Sequence, residues 1–196
     1  MAKYTESDLE QAKFRGKYRI PSTRLKNWNY AGDGCYFVTI CTKNRECLLG
    51  DISKDGGICL ADIGQISRRC WIEIPKHFPF VKLDEFVVMP NHIHGIIMID
   101  KTNENVETQD FASLQRGMKY QNTFGPQSKN LASIIRGFKI GVKKWANKNE
   151  MTFYWQTRYY DHVIRDEASL IRIRQYIIDN PRNWHKDRNN LENLYM

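Results

Sequence analysis

The run Val87–Ile99, "VVMPNHIHGIIMI", is almost wholly apolar, yet it carries two histidines, His92 and His94, one residue apart. Its Val and Ile content reads as strand. Strand side chains alternate between faces, so His92 and His94 project together while Ile93, Gly95 and Ile97 face the other way. A tight turn at Pro90–Asn91 joins this strand to the preceding "FVKLDEFVV", which predicts an antiparallel hairpin. Two imidazoles on one face are arranged to grip a single ion, although two ligands alone make a weak site. The same spacing also suits two hydrogen-bonded, half-buried histidines at a strand end, and it leaves both readings open.

The rest of the chain supplies elements for that hairpin to join. "CYFVTICT" (Cys35–Thr42) is a strand by its β-branched and aromatic content, and "RECLLGDISKDGGICLAD" reads as two short strands around a Gly-rich turn. Ile63, Ile66, Cys70 and Ile74 recur at helical spacing, with Pro75 ending that helix. A second helix is predicted over 129–149, where Leu131, Ile134, Ile135, Phe138, Val142 and Trp145 form one stripe. Lys129, Arg136, Lys139 and Lys143 fall opposite that stripe. The aromatic segment "FYWQTRYYDHVI" leads to a last helix over 166–180, with Asp166 as N-cap and Pro181 as its stop. This order predicts an α+β sandwich with an antiparallel sheet.

At 196 residues the chain fits one domain. It divides into a basic arm (1–30), a folded unit (31–185) with a long polar loop at about 101–128, and a C-terminal tail (186–196). Between Lys13 and Tyr30 there are six Lys/Arg, no acid and interspersed aromatics. With 30 Lys+Arg against 22 Asp+Glu, the net charge of +8 favours an anionic partner such as nucleic acid and leaves an acidic protein or a membrane surface open. No apolar run approaches a membrane span and the N-terminus lacks a signal-peptide pattern, so an intracellular, non-membrane protein is expected. The five cysteines include no C-x-x-C pair and read as reduced thiols, mostly small apolar fillers.

Tyr176 and Asn180, in "IRQYIIDNP", lie four residues apart on the last helix and share a face, at the border of the stripe Leu170, Ile173 and Ile177. A border position lets a phenol and an amide reach toward the sheet. Arg174 falls inside the stripe, which implies an acidic group or a wet cleft opposite it.

Together, "VVMPNHIHGIIMI", "LASIIRGFK" and "YYDHVIRDEASLIRIRQYIIDNPRNW" resemble the REP-associated tyrosine transposases, within the single-tyrosine HUH transposases. The N-terminal "RIPSTRLKNWNYAGDGCYFVTICTKNRECLLG" is similar to the start of the same family, so the resemblance runs from about Arg19 to Trp184. It implies a ferredoxin-like α+β fold, the HUH endonuclease palm: an antiparallel sheet with helices packed on it and the histidine pair on a central strand. Carried over by position, His92 and His94 would be metal ligands, Asn180 the third protein ligand and Tyr176 the nucleophile. The metal would be Mg²⁺ or Mn²⁺, and the substrate single-stranded or hairpin DNA from palindromic repeat elements. The implied activity is a metal-dependent endonuclease and strand-transferase that forms a 5′-phosphotyrosine intermediate. Cytoplasmic, nucleoid-associated localisation and a monomer or homodimer are expected with it. The family pattern has an aromatic-acid pair where this chain has Trp28–Asn29, so a contact made there does not transfer.

Arg15, Lys17, Arg19, Arg24 and Lys26 of the arm and Lys129, Arg136, Lys139 and Lys143 of the helix are the candidate nucleic-acid contacts, with Tyr18, Trp28 and Tyr30 placed to stack on bases. Trp71, Trp145 and Trp155 read as core. His162 and Asp161 stand near enough in sequence to be weighed as helpers for the phenol. Two other functions compete: a domesticated, non-catalytic binder of repeat hairpins, and a histidine-based phosphoesterase or zinc hydrolase. The last is weakened by the lack of a Glu or Asp base beside the histidines.

Overall fold

The computed structural model describes residues 25, 28–101, 129–187 and 189–190, together with the backbone of 13–14 and 17–18. Two short strands, β1 (Lys13–Phe14) and β2 (Lys17–Tyr18), pair with each other antiparallel. The domain proper follows as β3 (Gly34–Cys41), β4 (Gly50–Ile52), β5 (Ile58–Leu60), α1 (Asp62–Ile72), α2 (Ile74–His77), β6 (Val81–Val88), β7 (His92–Ile99), α3 (Leu131–Lys148), β8 (Tyr160–Ile164) and α4 (Glu167–Asp179).

The main sheet has four strands in the order β6-β7-β3-β8, every neighbouring pair antiparallel. With α1 and α3 as crossovers this is the split β-α-β ferredoxin-like arrangement. β3 is buried along its whole length because it lies between β7 and β8 and is covered on both faces. Its register sets Thr39 opposite His94 and Cys41 opposite His92.

Strand alternation separates two apolar layers. Tyr36, Val38, Ile40, Ile93 and Ile97 face α1 and α3 and form the large core with Trp71, Leu131, Ile134, Phe138 and Val142. Cys35, Phe37 and Ile96 face α4 and form a much smaller cluster with Ile164, Leu170 and Ile177. The helix bearing Tyr176 therefore rests on a thin apolar layer. Gly95 belongs to the large-core side, and a Cβ built on it would lie only 2.3 Å from Trp71 Cζ2. No larger residue lets that tryptophan close over the histidine strand.

Local signals explain the helix ends. Asn130 caps α3 in a capping box with Ser133, and the Asp166 side chain accepts from Ser169 N at 2.7 Å to start α4. The first helix differs from its expected end. It stops at Ile72, and Pro75 sits in the first turn of the short α2, where its missing N–H is no loss.

Cys35 and Cys41 are buried as fillers, whereas Cys47 and Cys59 are exposed and Cys70 lies between. Trp71 is fully buried, and Trp145 and Trp155 pack against the same core. Trp28 and Tyr30 turn inward: Trp28 Nε1 donates to the Tyr36 hydroxyl at 3.0 Å, and Tyr30 stacks on Tyr36 with ring centres 5.6 Å apart. They are thus committed to the domain rather than presented as base platforms. No helix among the described residues is long and apolar enough to cross a membrane.

Candidate active site

His92 and His94 lead the inner strand β7 and are fully buried, their ring centres 4.3 Å apart. The Asn91 side-chain nitrogen donates to the carbonyls of Arg45 and Asn189, both at 2.8 Å, which turns its Oδ1 toward His92 Nδ1 at 2.8 Å. An acceptor there requires the proton on Nδ1, so His92 Nε2 carries a lone pair. His94 Nδ1 lies 2.9 Å from the Thr39 hydroxyl, its cross-strand partner. Outer contacts of this kind fix ring orientation in metal-binding histidines.

Both Nε2 atoms face Asp187. Its Oδ2 lies 3.9 Å from His92 Nε2 and 4.0 Å from His94 Nε2. The ligand atoms of these three buried residues lie within 4.8 Å of one another. After α4 the chain turns through a 3-10 helix, Trp184–Lys186, and folds back under the site. Asn189 N donates to Asp187 Oδ1 at 2.6 Å and Asn180 Nδ2 donates to Asp187 Oδ2 at 3.0 Å. The segment read from sequence as a tail beginning at 186 thus places Asp187, Asn189 and Asn190 in the interior. Sequence reasoning missed Asp187. It lies beyond the helix-stopping Pro181, in a polar stretch with no periodicity to mark one acid from its neighbours.

Tyr176 projects from α4 across the sheet, its hydroxyl 3.2 Å from His94 Nε2 and its ring edge-on to Phe37 at 6.0 Å. It is 43% exposed, so it meets the histidines from the wet side. Asn180, one turn on, is 3% exposed, and its Oδ1 is buried with no hydrogen-bond partner. His92, His94, Tyr176 and Asn180, all singled out from sequence, are thus brought together. A cleft of about 710 Å³ opens in front of them, lined by Phe37, Tyr160, His162, Tyr176, Asn183 and Lys186 among others. His162 reaches this cleft because it pairs with Phe37 on the site face, whereas Asp161 pairs with Val38 and alternates to the opposite face.

Arg174 meets the acid its place in the apolar stripe called for. Its guanidinium clasps Asp84, Nε to Oδ1 at 2.8 Å and a terminal nitrogen to Oδ2 at 2.5 Å. Burial pushes the Asp84 carboxyl up, but the Arg174 bonds and the Glu85 N–H outweigh it and hold the pKa below the usual range.

The cationic residues divide. Lys139 Nζ donates to the carbonyls of Gln156 (2.6 Å) and Arg158 (3.0 Å), and burial pushes its pKa down to about 8. Lys143 donates to the Phe153 carbonyl at 2.6 Å and lies 3.9 Å from the centre of the Tyr154 ring. Both fasten α3 to the segment before β8. Arg136 and Lys129 are exposed, and Arg136 and Lys144 border a groove of about 500 Å³ beside α3. Arg15, Arg19, Arg24 and Lys26 lie outside the described residues, and Lys17 is described only through the backbone of β2.

No family model matches the chain. It is 44% identical over 178 residues to an uncharacterized protein of Haemophilus influenzae, covering 88% of this chain and 93% of that one. It is 25% identical over 152 residues to the REP-associated tyrosine transposase of Escherichia coli strain K12, covering 78% and 68% respectively. Among solved structures it matches a REP-associated tyrosine transposase bound to a REP hairpin, with a TM-score of 0.53 and 18% identity over 84% of this chain and 74% of that one. The chain shares the fold of that structure, and it sets two histidines on an inner strand against one tyrosine from the closing helix. In sequence and in fold the chain is thus similar to REP-associated tyrosine transposases.

Proposed function

We propose that this protein is a metal-dependent endonuclease and strand-transferase acting on single-stranded DNA at hairpins of palindromic repeats, with Tyr176 as the nucleophile. The observation that carries this reading is the approach of the Tyr176 hydroxyl to 3.2 Å from His94 Nε2, beside the Asp187 carboxylate that both histidines face.

The donor set suits a divalent ion. Two imidazoles with outer contacts, one carboxylate oxygen and the buried Asn180 Oδ1 make a mixed nitrogen and oxygen site that accepts Mg²⁺ or Mn²⁺. His92, His94 and Asp187 would hold the ion, with Asn180 both bracing Asp187 and offering its carbonyl oxygen as a further ligand. When bound, the ion neutralises and orients a phosphate for in-line displacement.

The protein's own residues supply the rest. The Tyr176 oxygen forms a bond to phosphorus as the bond from phosphorus to the 3′ oxygen breaks. The phenol gives up its proton, the departing 3′ oxygen gains one, and the 5′ end stays on the enzyme as a phosphotyrosine. Because the phosphodiester energy is conserved, the held end can be passed to another 3′-OH without a nucleotide cofactor. A free phenol has a pKa of about 10 and needs help to ionise at neutral pH. We assign that proton, through a water, to His162, whose imidazole lines the same cleft. Lys186, at the same cleft wall, offers charge to the incoming phosphate.

For the flanking DNA we assign Arg136, Lys129 and the arm residues Arg15, Lys17, Arg19, Arg24 and Lys26 to the backbone. Lys139 and Lys143 contribute chiefly through the groove wall they hold in place.

The test is incubation with hairpin-bearing single-stranded DNA and Mn²⁺, followed by denaturing electrophoresis. A protein–DNA adduct should form with the wild type and be absent with Tyr176→Phe. An equally abundant adduct with that variant would refute the assignment of the nucleophile.

A further inference from the structure

We propose that the Arg174–Asp84 pair is a positioning device for Tyr176, fixing the rotation of α4 about its axis so that the phenol meets the histidine strand. This deepens the catalytic reading above and rests on it.

Only a small apolar layer seats α4 on the sheet. Its apolar face touches the small cluster around Cys35, Phe37, Ile96 and Ile164, with Leu170 and Ile177 as its buried residues. Apolar contact is non-directional, so a layer this thin resists lifting more than turning. Rotation matters here. Two residues along a helix are about 200° apart, so Arg174 and Tyr176 lean to opposite sides of the axis. Arg174 reaches the edge strand β6, while Tyr176 lies over β7 and β3, against His94 and Phe37. A tyrosine hydroxyl stands about 9 Å from its helix axis, so a turn of about 10° moves it about 1.5 Å. Misplacement by about 1 Å can cost about 100-fold in rate.

The fork resists that turn. Both guanidinium bonds are made to one carboxylate, a planar two-point contact that fixes orientation as well as distance. The acid is itself held in place. The register between β6 and β7 shifts by one residue between Leu83 and Phe86, so both of those face the large core while Asp84 stands on the α4 side. Bulges re-aim side chains in this way. Glu85 N donates to Asp84 Oδ1 at 2.7 Å and sets its rotamer. The Asp84 side chain is 13% exposed and that of Arg174 40%, so the pair sits at the margin of the cluster, where water only partly weakens it.

The test compares wild type with Asp84→Asn, Arg174→Gln, Arg174→Lys and the swapped double variant Asp84→Arg/Arg174→Asp. Three quantities are measured below each variant's melting temperature: hairpin affinity by anisotropy, single-turnover adduct formation with Mn²⁺ at saturating protein, and amide exchange. The two neutral variants should react about 30-fold more slowly, within the range set by an ångström-scale misplacement, with affinity kept within about twofold. Arg174→Lys, with charge but no fork, should fall between, and the swap should recover most of the rate. Exchange should quicken across Glu167–Asp179 and stay unchanged across Leu131–Lys148. Wild-type rates in the neutral variants, or a loss of affinity as large as the loss of rate, would overturn the proposal. If the wild type forms no adduct, the catalytic reading fails. Exchange then decides whether the pair holds α4, and unchanged exchange in Asp84→Asn rejects it.

Discussion

At the scale of single residues the site depends on proton placement. Asn91 donates both amide hydrogens to main-chain carbonyls, which leaves its oxygen to hold the His92 Nδ1 proton. Asn91→Ala should therefore weaken Mn²⁺ binding by about 10- to 100-fold, the usual effect of losing an outer contact of a metal ligand. Titration calorimetry on protein without DNA checks this. Asp187→Asn should lose at least as much, because it removes the carboxylate that both Nε2 atoms face. Affinity unchanged in Asp187→Asn would leave Asn180 as the better third ligand. The histidine pair and the Tyr176/Asn180 pair were legible in the sequence because each follows the period of its element, two for a strand and about four for one helical turn. Asp187 follows no period. Its place is fixed by a chain reversal after Asn183 and by hydrogen bonds from Asn180 and Asn189, neither of which the local sequence records.

The elements show the same division between pattern and tertiary detail. The β6–β7 hairpin, the two amphipathic helices and the order of strands were readable from alternation, stripe and capping residues. The bulge in β6 was not, since Asp84 and Glu85 look alike until the partner strand is seen. For α3, the helical wheel set Lys139 and Lys143 away from the apolar stripe, although Lys139 follows the stripe residue Ile135 by four positions and so flanks it. It could not show that their flexible stems curl onto the carbonyls of the segment before β8. This has a consequence for stability. Lys139 titrates near 8 in the folded state because burial disfavours its charge, against 10.5 normally. Between those values the unfolded chain binds more protons, so stability should rise with pH from about 8 toward 10.5. Lys139→Met should flatten that rise, as followed by denaturant unfolding at pH 7.5 and 10. On β7, Gly95→Ala should cost about 3 kcal/mol in the same assay, the upper end for a small-to-large change in a packed core, because the Trp71 ring would have to move.

For the whole molecule, the two faces of the sheet divide the labour. The large core with α1 and α3 carries the stability, and the thinner side with α4 carries the site and its cleft. The net charge of +8 then bears on binding rather than on the fold. The logarithm of hairpin affinity should fall linearly with the logarithm of salt concentration. Each phosphate contact adds about 0.9 to the slope for duplex and about 0.7 for single strands. Arg136→Ala and Lys129→Ala should each remove about one such increment, whereas Lys139→Met should alter stability and leave the slope nearly unchanged. Peptide mapping of the covalent product shows whether the phenol of the closing helix attacks a phosphate held over the histidine strand. After reaction with hairpin DNA and Mn²⁺, nuclease trimming and proteolysis, mass spectrometry should place the residual nucleotide phosphate on the oxygen of Tyr176. The same mass increment on any other residue, or its persistence in Tyr176→Phe, would contradict the account.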